Sequence, residues 1–186
     1  MDALTHAIEA YTSRLSSPIS DLFALEAIRL LGANLTKAYE EPDVLEYREK
    51  TLLGSTLAGY AFDNAVLGMV HAMVHPMGAH FHVQHGAANA ITLAECVRFN
   101  SAAVPEKTLN IGIALGIDPA QVTVDATVAR IKDMCATMKI PSLKEVGITP
   151  DDYRMLAEAA MKESCMPLNA RECTVEDVLS IYQKLN

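Results

Sequence analysis

The chain has 186 residues, 51% hydrophobic and 20% charged, which is enough for a domain with its own core and too apolar for a disordered segment. Its formal net charge of -8 and pI near 5.2 argue against nucleic acid or an anionic membrane as partner, since both reward clustered Lys and Arg. The most apolar run, about 65–79, carries two histidines, Pro76 and glycines, too short and too polar to span a bilayer. No signal peptide is read at the start, so a soluble, cytoplasmic protein is expected.

In chain order, residues 2–11 read as helix, with Leu4, Ala7, Ile8 and Tyr11 at three-and-four spacing. Asp2 and His6 are four apart and share one face of it. Ser16-Ser17-Pro18 punctuates, and Ser20 or Asp21 is expected to cap a second helix running to about Tyr39, with Leu22, Leu25, Ile28, Leu31 and Leu35 along one stripe. Glu40-Glu41-Pro42 ends it. A third helix covers about 44–63, and its small residues (Gly54, Ser55, Ala58, Gly59) suggest a helix buried in the middle of a bundle.

Residues 66–76 carry histidines, and another helix is expected from near Gly86 through Phe99. A short apolar helix lies between the breaks at Val104-Pro105 and Gly116-Ile-Asp118-Pro119, and 122–138 reads as the next. Thr149-Pro150 opens a helix with Pro in its first turn, 165–169 reads as a loop, and Thr174-Val-Glu-Asp177 is a capping-box start to the last helix. No strand-like alternation extends beyond about five residues, so the expected fold is all-α, a helical bundle of about eight helices. Cys96, Cys135, Cys165 and Cys173 are widely spaced with no CxxC pair, and read as reduced thiols.

Five of the six histidines fall within residues 71–85, and the sixth, His6, follows Asp2 at helical spacing. Neutral imidazole is the commonest metal-ligand side chain, and a carboxylate one helical turn away completes a plausible ligand shell. The plainer reading of His71 and His75, a helix that happens to be histidine-rich, weighs about equally on their spacing alone. On a continuous helix His71 and His85 would stand roughly 21 Å apart, so one ion can bind both only if the chain folds back between them. Pro76, Gly78 and Gly86 are the breaks expected to allow this. His80 and His82 read as solvated loop residues, and Met69, Met73 and Met77 as core packing. There is no HExxH and no GxGxxG, and Gly54-Ser-Thr-Leu-Ala-Gly59 lacks the Lys of a phosphate loop.

Three stretches together carry a resemblance: Asp2-Ala-Leu-Thr-His6-Ala-Ile-Glu-Ala-Tyr11, Phe62-Asp-Asn-Ala-Val-Leu-Gly-Met-Val-His71-Ala-Met-Val-His75-Pro-Met-Gly-Ala79, and His85-Gly-Ala-Ala-Asn-Ala90. Over essentially the whole chain they resemble the iron-containing (group III) alcohol dehydrogenase family. The resemblance implies the C-terminal metal-binding helical domain of the dehydroquinate synthase-like fold, filling residues 1–186, with the family's N-terminal dinucleotide-binding α/β domain absent from this chain. It implies Asp2, His6, His71 and His85 as ligands of one divalent metal, Fe(II) or Zn(II). His75 matches a position near the metal and the nicotinamide, as a proton-relay or cofactor-orienting group. Phe62 and Cys165 match positions lining the substrate pocket. The late loop departs from the family's usual Asn-Pro-Arg and reads Asn169-Ala170-Arg171.

The implied chemistry is metal-assisted hydride transfer between a small alcohol or aldehyde and NAD or NADP, the latter held mainly by the other domain. The isolated chain is therefore not expected to turn over alone, and the full-length enzyme is expected to be a homodimer or larger. Two alternatives remain: a non-catalytic metal-binding helical domain, and a fragment of a glycerol-dehydrogenase-like zinc enzyme. The Asp2-x3-His6 pair favours the iron-type branch over the latter.

Overall fold

Residues 1–185 are described by a computed structural model of the chain. Helix α1 (Asp2–Thr12) lies at the centre and packs on four others: α2 (Pro18–Glu40), α3 (Leu45–Ala65), α5 (His85–Asn100) and α6 (Pro105–Ala114). Its Leu4, Ala7, Ile8, Ala10 and Tyr11 are all buried, as their three-and-four spacing requires. The remaining helices are α4 (Met69–Phe81), α7 (Val124–Thr137), α8 (Tyr153–Ala160) and α9 (Val175–Gln183), with short 3-10 turns at Pro150–Asp152 and Met166–Leu168. Among the described residues there is no strand, and the fold is all-α.

Helix α2 begins earlier than the cap at Ser20 or Asp21 would place it. Ser17 is the cap: its Oγ accepts from the Ser20 N–H at 3.2 Å while the Ser17 N–H donates to Ser20 Oγ at 2.8 Å, and Pro18 sits in the first turn. Helix α3 is not buried in the middle of the bundle. Only its stripe Gly54, Ala58, Ala61, Ala65 is covered, and the helix packs along α2 as a hairpin and also against α1. A Cβ on Gly54 would come within 2.8 Å of Leu31 Cγ, so the missing side chain is what lets the two backbones close. The outer faces keep Ile19, Leu22, Leu45, Leu52 and Tyr60 exposed.

Between α3 and α4 the chain bends by 104°, with Val66 at φ +62, a positive value that a β-branched residue rarely adopts. Helix α4 then runs through Pro76 and Gly78 without a break, contrary to the expectation that these residues reverse the chain. One proline removes one helical hydrogen bond, at a cost of about 3 kcal/mol or more, and the packing of a face with Met69, Met73 and Met77 fully buried offsets it. The reversal is made at residues 82–84 instead: His82 takes the left-handed conformation, its N–H donating to the Gly78 carbonyl at 3.1 Å. Gly86 lies inside the first turn of α5. No single helix among the described residues is long and apolar enough to cross a membrane.

Candidate metal centre

Three helices deliver the candidate ligands. Asp2 and His6 stand one turn apart on α1, His71 is in the first turn of α4, and His85 is the first residue of α5. Ligand-capable atoms of Asp2, His6 and His71 all lie within 4.8 Å of one another. Asp2 Oδ1 is 3.4 Å from His85 Nε2 and 4.0 Å from His71 Nε2. Two donors each ~2.1 Å from a tetrahedral ion stand roughly 3.4 Å apart, so these spacings fit one cation with small adjustment.

The tautomers are set by the partners of the other ring nitrogens. His6 Nδ1 lies 2.9 Å from the Asp2 carbonyl oxygen, an acceptor, so Nδ1 carries the proton and Nε2 keeps its lone pair. His71 Nδ1 lies 2.6 Å from a carboxylate oxygen of Glu9, with the same consequence. Burial lowers the pKa of His6, with the neighbouring His71 adding to it, and burial likewise lowers that of His85. Both rings are therefore held toward the neutral form that ligates. Three imidazole nitrogens and a carboxylate oxygen are a donor set for Fe(II) or Zn(II) rather than for calcium or magnesium.

The rings form one cluster. His6 and His71 have centroids 4.4 Å apart, and His71 and His85 5.3 Å. His75 sits at the rim, stacked on His85 at 6.0 Å, with about two-fifths of its side chain exposed. Phe62 covers His6 at 4.6 Å. Cys165 is buried at 6% exposure, and burial, with the charges of Glu9 and Glu163 adding to it, pushes its thiol up to about 12. All four cysteines are free. His80 and His82 are exposed; His80 belongs to the last turn of α4 rather than to a loop, and His82 is its cap. A cleft of about 350 Å³ between α5 and α7, lined in part by Glu95, Lys132 and Cys135, contains none of the histidines.

Three residues beside the cluster carry no assignment from the sequence. Asn89, fully buried one turn after His85, donates from Nδ2 to Asp2 Oδ1 at 2.6 Å, while its Oδ1 is buried without a hydrogen-bond partner. Glu163 lies 2.7 Å from His75 Nδ1. Glu9 is 3% exposed and reaches His71 from α1. Their partners are 87, 88 and 62 residues away, so sequence-local patterns do not show the pairs. The one local signal is an acid at position 9, on the same α1 face as Asp2 and His6.

A cluster of imidazoles and a carboxylate, with His71 buried and Asp2 and His85 half-exposed, lies where three helices of an all-α domain meet. Residues 1–186 match the family model described as Fe-containing alcohol dehydrogenase family, C-terminal, and the chain belongs to that family. It is 38% identical to the NADPH-dependent butanol dehydrogenase of Clostridium saccharobutylicum, over 98% of this chain and 48% of that protein. It is also 38% identical to the 1,3-propanediol dehydrogenase of Klebsiella pneumoniae, over 99% of this chain and 49% of that one. A crystal structure of 1,3-propanediol oxidoreductase superposes with a TM-score of 0.96 at 37% identity, covering 100% of this chain and 50% of that one. The chain thus spans about half the length of the curated relatives it matches.

Proposed function

We propose that this chain is the metal-binding catalytic domain of a cytoplasmic NAD(P)-dependent alcohol dehydrogenase that interconverts small alcohols and aldehydes. Asp2, His6, His71 and His85 are the ligands of one divalent ion, Fe(II) or Zn(II). The observation that carries this reading is the convergence of their donor atoms from three helices, within 4.8 Å for Asp2, His6 and His71 and 3.4 Å from Asp2 to His85. The names of the butanol and propanediol relatives support a primary alcohol as substrate class. This chain spans about half the length of those relatives, so the activity proposed is that of the whole enzyme. The complete enzyme is a homodimer or larger, with neither nucleic acid nor membrane as partner.

Held by Asp2, His6, His71 and His85, a divalent ion would supply Lewis acidity toward the alcohol or carbonyl oxygen, and a nicotinamide would supply the hydride chemistry. The chain's own residues hold and orient. Glu9 and the Asp2 carbonyl accept hydrogen bonds from Nδ1–H of His71 and His6, so both rings turn Nε2 inward. Asn89 orients the Asp2 carboxylate. His75 has its Nδ1 on Glu163, which leaves Nε2 to hold or pass the hydroxyl proton, and its exposed rim position gives that proton a route to solvent. Phe62, over His6, and the protonated Cys165 are the substrate-side residues.

Mass spectrometry of protein purified without chelator tests the reading, with one divalent ion per chain as the expected result. Hydride transfer is expected once a nucleotide-binding domain is supplied. Absence of stoichiometric metal sinks the reading, and metal without hydride transfer in the complemented enzyme reduces it to a bare metal-binding domain.

A further inference from the structure

Glu9 is a carboxylate at 3% exposure, and a charge buried that deeply is costly unless hydrogen-bonded. Its side-chain hydrogen bonds go to the start of α4. Oε1 accepts from the Val70 N–H at 2.6 Å, and Oε2 accepts from the His71 N–H at 3.4 Å and from His71 Nδ1 at 2.6 Å. The first backbone N–H groups of a helix have no partner within it, and the positive end of its dipole favours an anion there. Helix α4 has Gly68 at its cap, with no side chain to fill that need. The glycine also makes room: a Cβ there would lie 3.1 Å from Glu9 Oε1 and 3.0 Å from Asn169 Oδ1.

We propose that Glu9 is the positioning residue of the metal centre, one carboxylate that caps α4 and at the same time fixes the tautomer and aim of His71. This rests on the ligand assignment above. With its proton held at Nδ1 by Glu9, the ring presents the Nε2 lone pair toward Asp2, 4.0 Å away. The opposite tautomer would set an imidazole lone pair against carboxylate lone pairs. Asp2, His6 and Glu9 share one face of α1, so this helix supplies two ligands and orients the ligand that α4 supplies.

Glu9→Gln is the informative change. The two oxygens accept from three donors on two residues, and an amide keeps only one acceptor oxygen, so an N–H of Gln faces another N–H. The long-range ¹H–¹⁵N correlation of His71 in the metal-free chain reads the consequence: Nδ1–H in the wild type and a substantial Nε2–H population in Glu9→Gln. Zn(II) affinity by chelator competition is expected to fall about 10–100-fold, the usual cost of losing such a partner. Asn169→Ala is the control for mere capping, because Asn169 Oδ1 accepts from the Met69 N–H at 3.2 Å at the same helix end without touching His71. It is expected to lower the melting temperature and to leave Zn(II) affinity within about two-fold, short of the loss at a ligand's partner. Wild-type tautomer and affinity in Glu9→Gln overturn the proposal, as does an equal affinity loss in Asn169→Ala. A wild-type chain that binds no Zn(II) overturns the ligand assignment instead, and the tautomer measurement still decides whether Glu9 holds His71.

Discussion

The junction of α1, α4 and α5 and the hairpin of α2 and α3 are both helix-on-helix packing, yet they are held together by different forces. The hairpin closes with Gly54 against Leu31 and Leu30, buries the small Ala58 and Ala61, and leaves large apolar side chains on its outer faces. The junction buries Glu9, His71 and Asn89 at 3%, 1% and 0% exposure and satisfies most of their polar atoms across long sequence separations. Apolar contact is non-directional and tolerant of change. A buried hydrogen-bonded network is unforgiving, because each partner removed leaves a desolvated group behind. The molecule thus places its costly interactions where geometry has to be fixed and its generic ones elsewhere.

Substitutions on the two sides break or sharpen that contrast. The largest effect is expected from Glu9→Ala, which strands the Val70 N–H and both donors of His71. It is expected to cost about 3 kcal/mol or more in urea unfolding, since each buried donor left unpaired costs about 1–3 kcal/mol. A loss below about 1 kcal/mol, typical of an ordinary site, would erase the distinction between the two regions. Gly54→Leu comes next. Its side chain must displace Leu31, and it is expected to cost about 1–3 kcal/mol while leaving metal affinity unchanged. Weakened metal binding in that variant would show that the hairpin and the centre are coupled. The smallest effect is expected at Leu22, 71% exposed: Leu22→Ser should shift unfolding by no more than about 0.5 kcal/mol.

How much of this is legible in the sequence follows the same division. The α1 pair Asp2 and His6 is visible because helical spacing is local, and the need for a chain reversal between His71 and His85 follows from length alone. The place of the reversal is not visible. Pro76 and Gly78 read as breaks, and only the tertiary burial of Met69, Met73 and Met77 explains why α4 runs on to Phe81. The small residues of α3 mark close approach but not on how many sides, so a helix expected inside the bundle proves to be covered along one stripe. Glu9 stands within the motif that carries the resemblance, yet its role depends on a partner 62 residues away. Asn169, capping α4 from 100 residues away, is equally silent.

The central claim, that Asp2, His6, His71 and His85 and not the other histidines hold the ion, is tested most directly by metal content. Wild type, His71→Ala, His75→Ala and His80→Ala, all purified without chelator, are to be compared by mass spectrometry and chelator competition. One ion per chain is expected in the wild type, His75→Ala and His80→Ala. His71→Ala is expected to bind at least about 10–100-fold more weakly, since losing a ligand costs no less than losing a ligand's partner. Stoichiometric metal kept by His71→Ala and lost by His75→Ala would contradict the account.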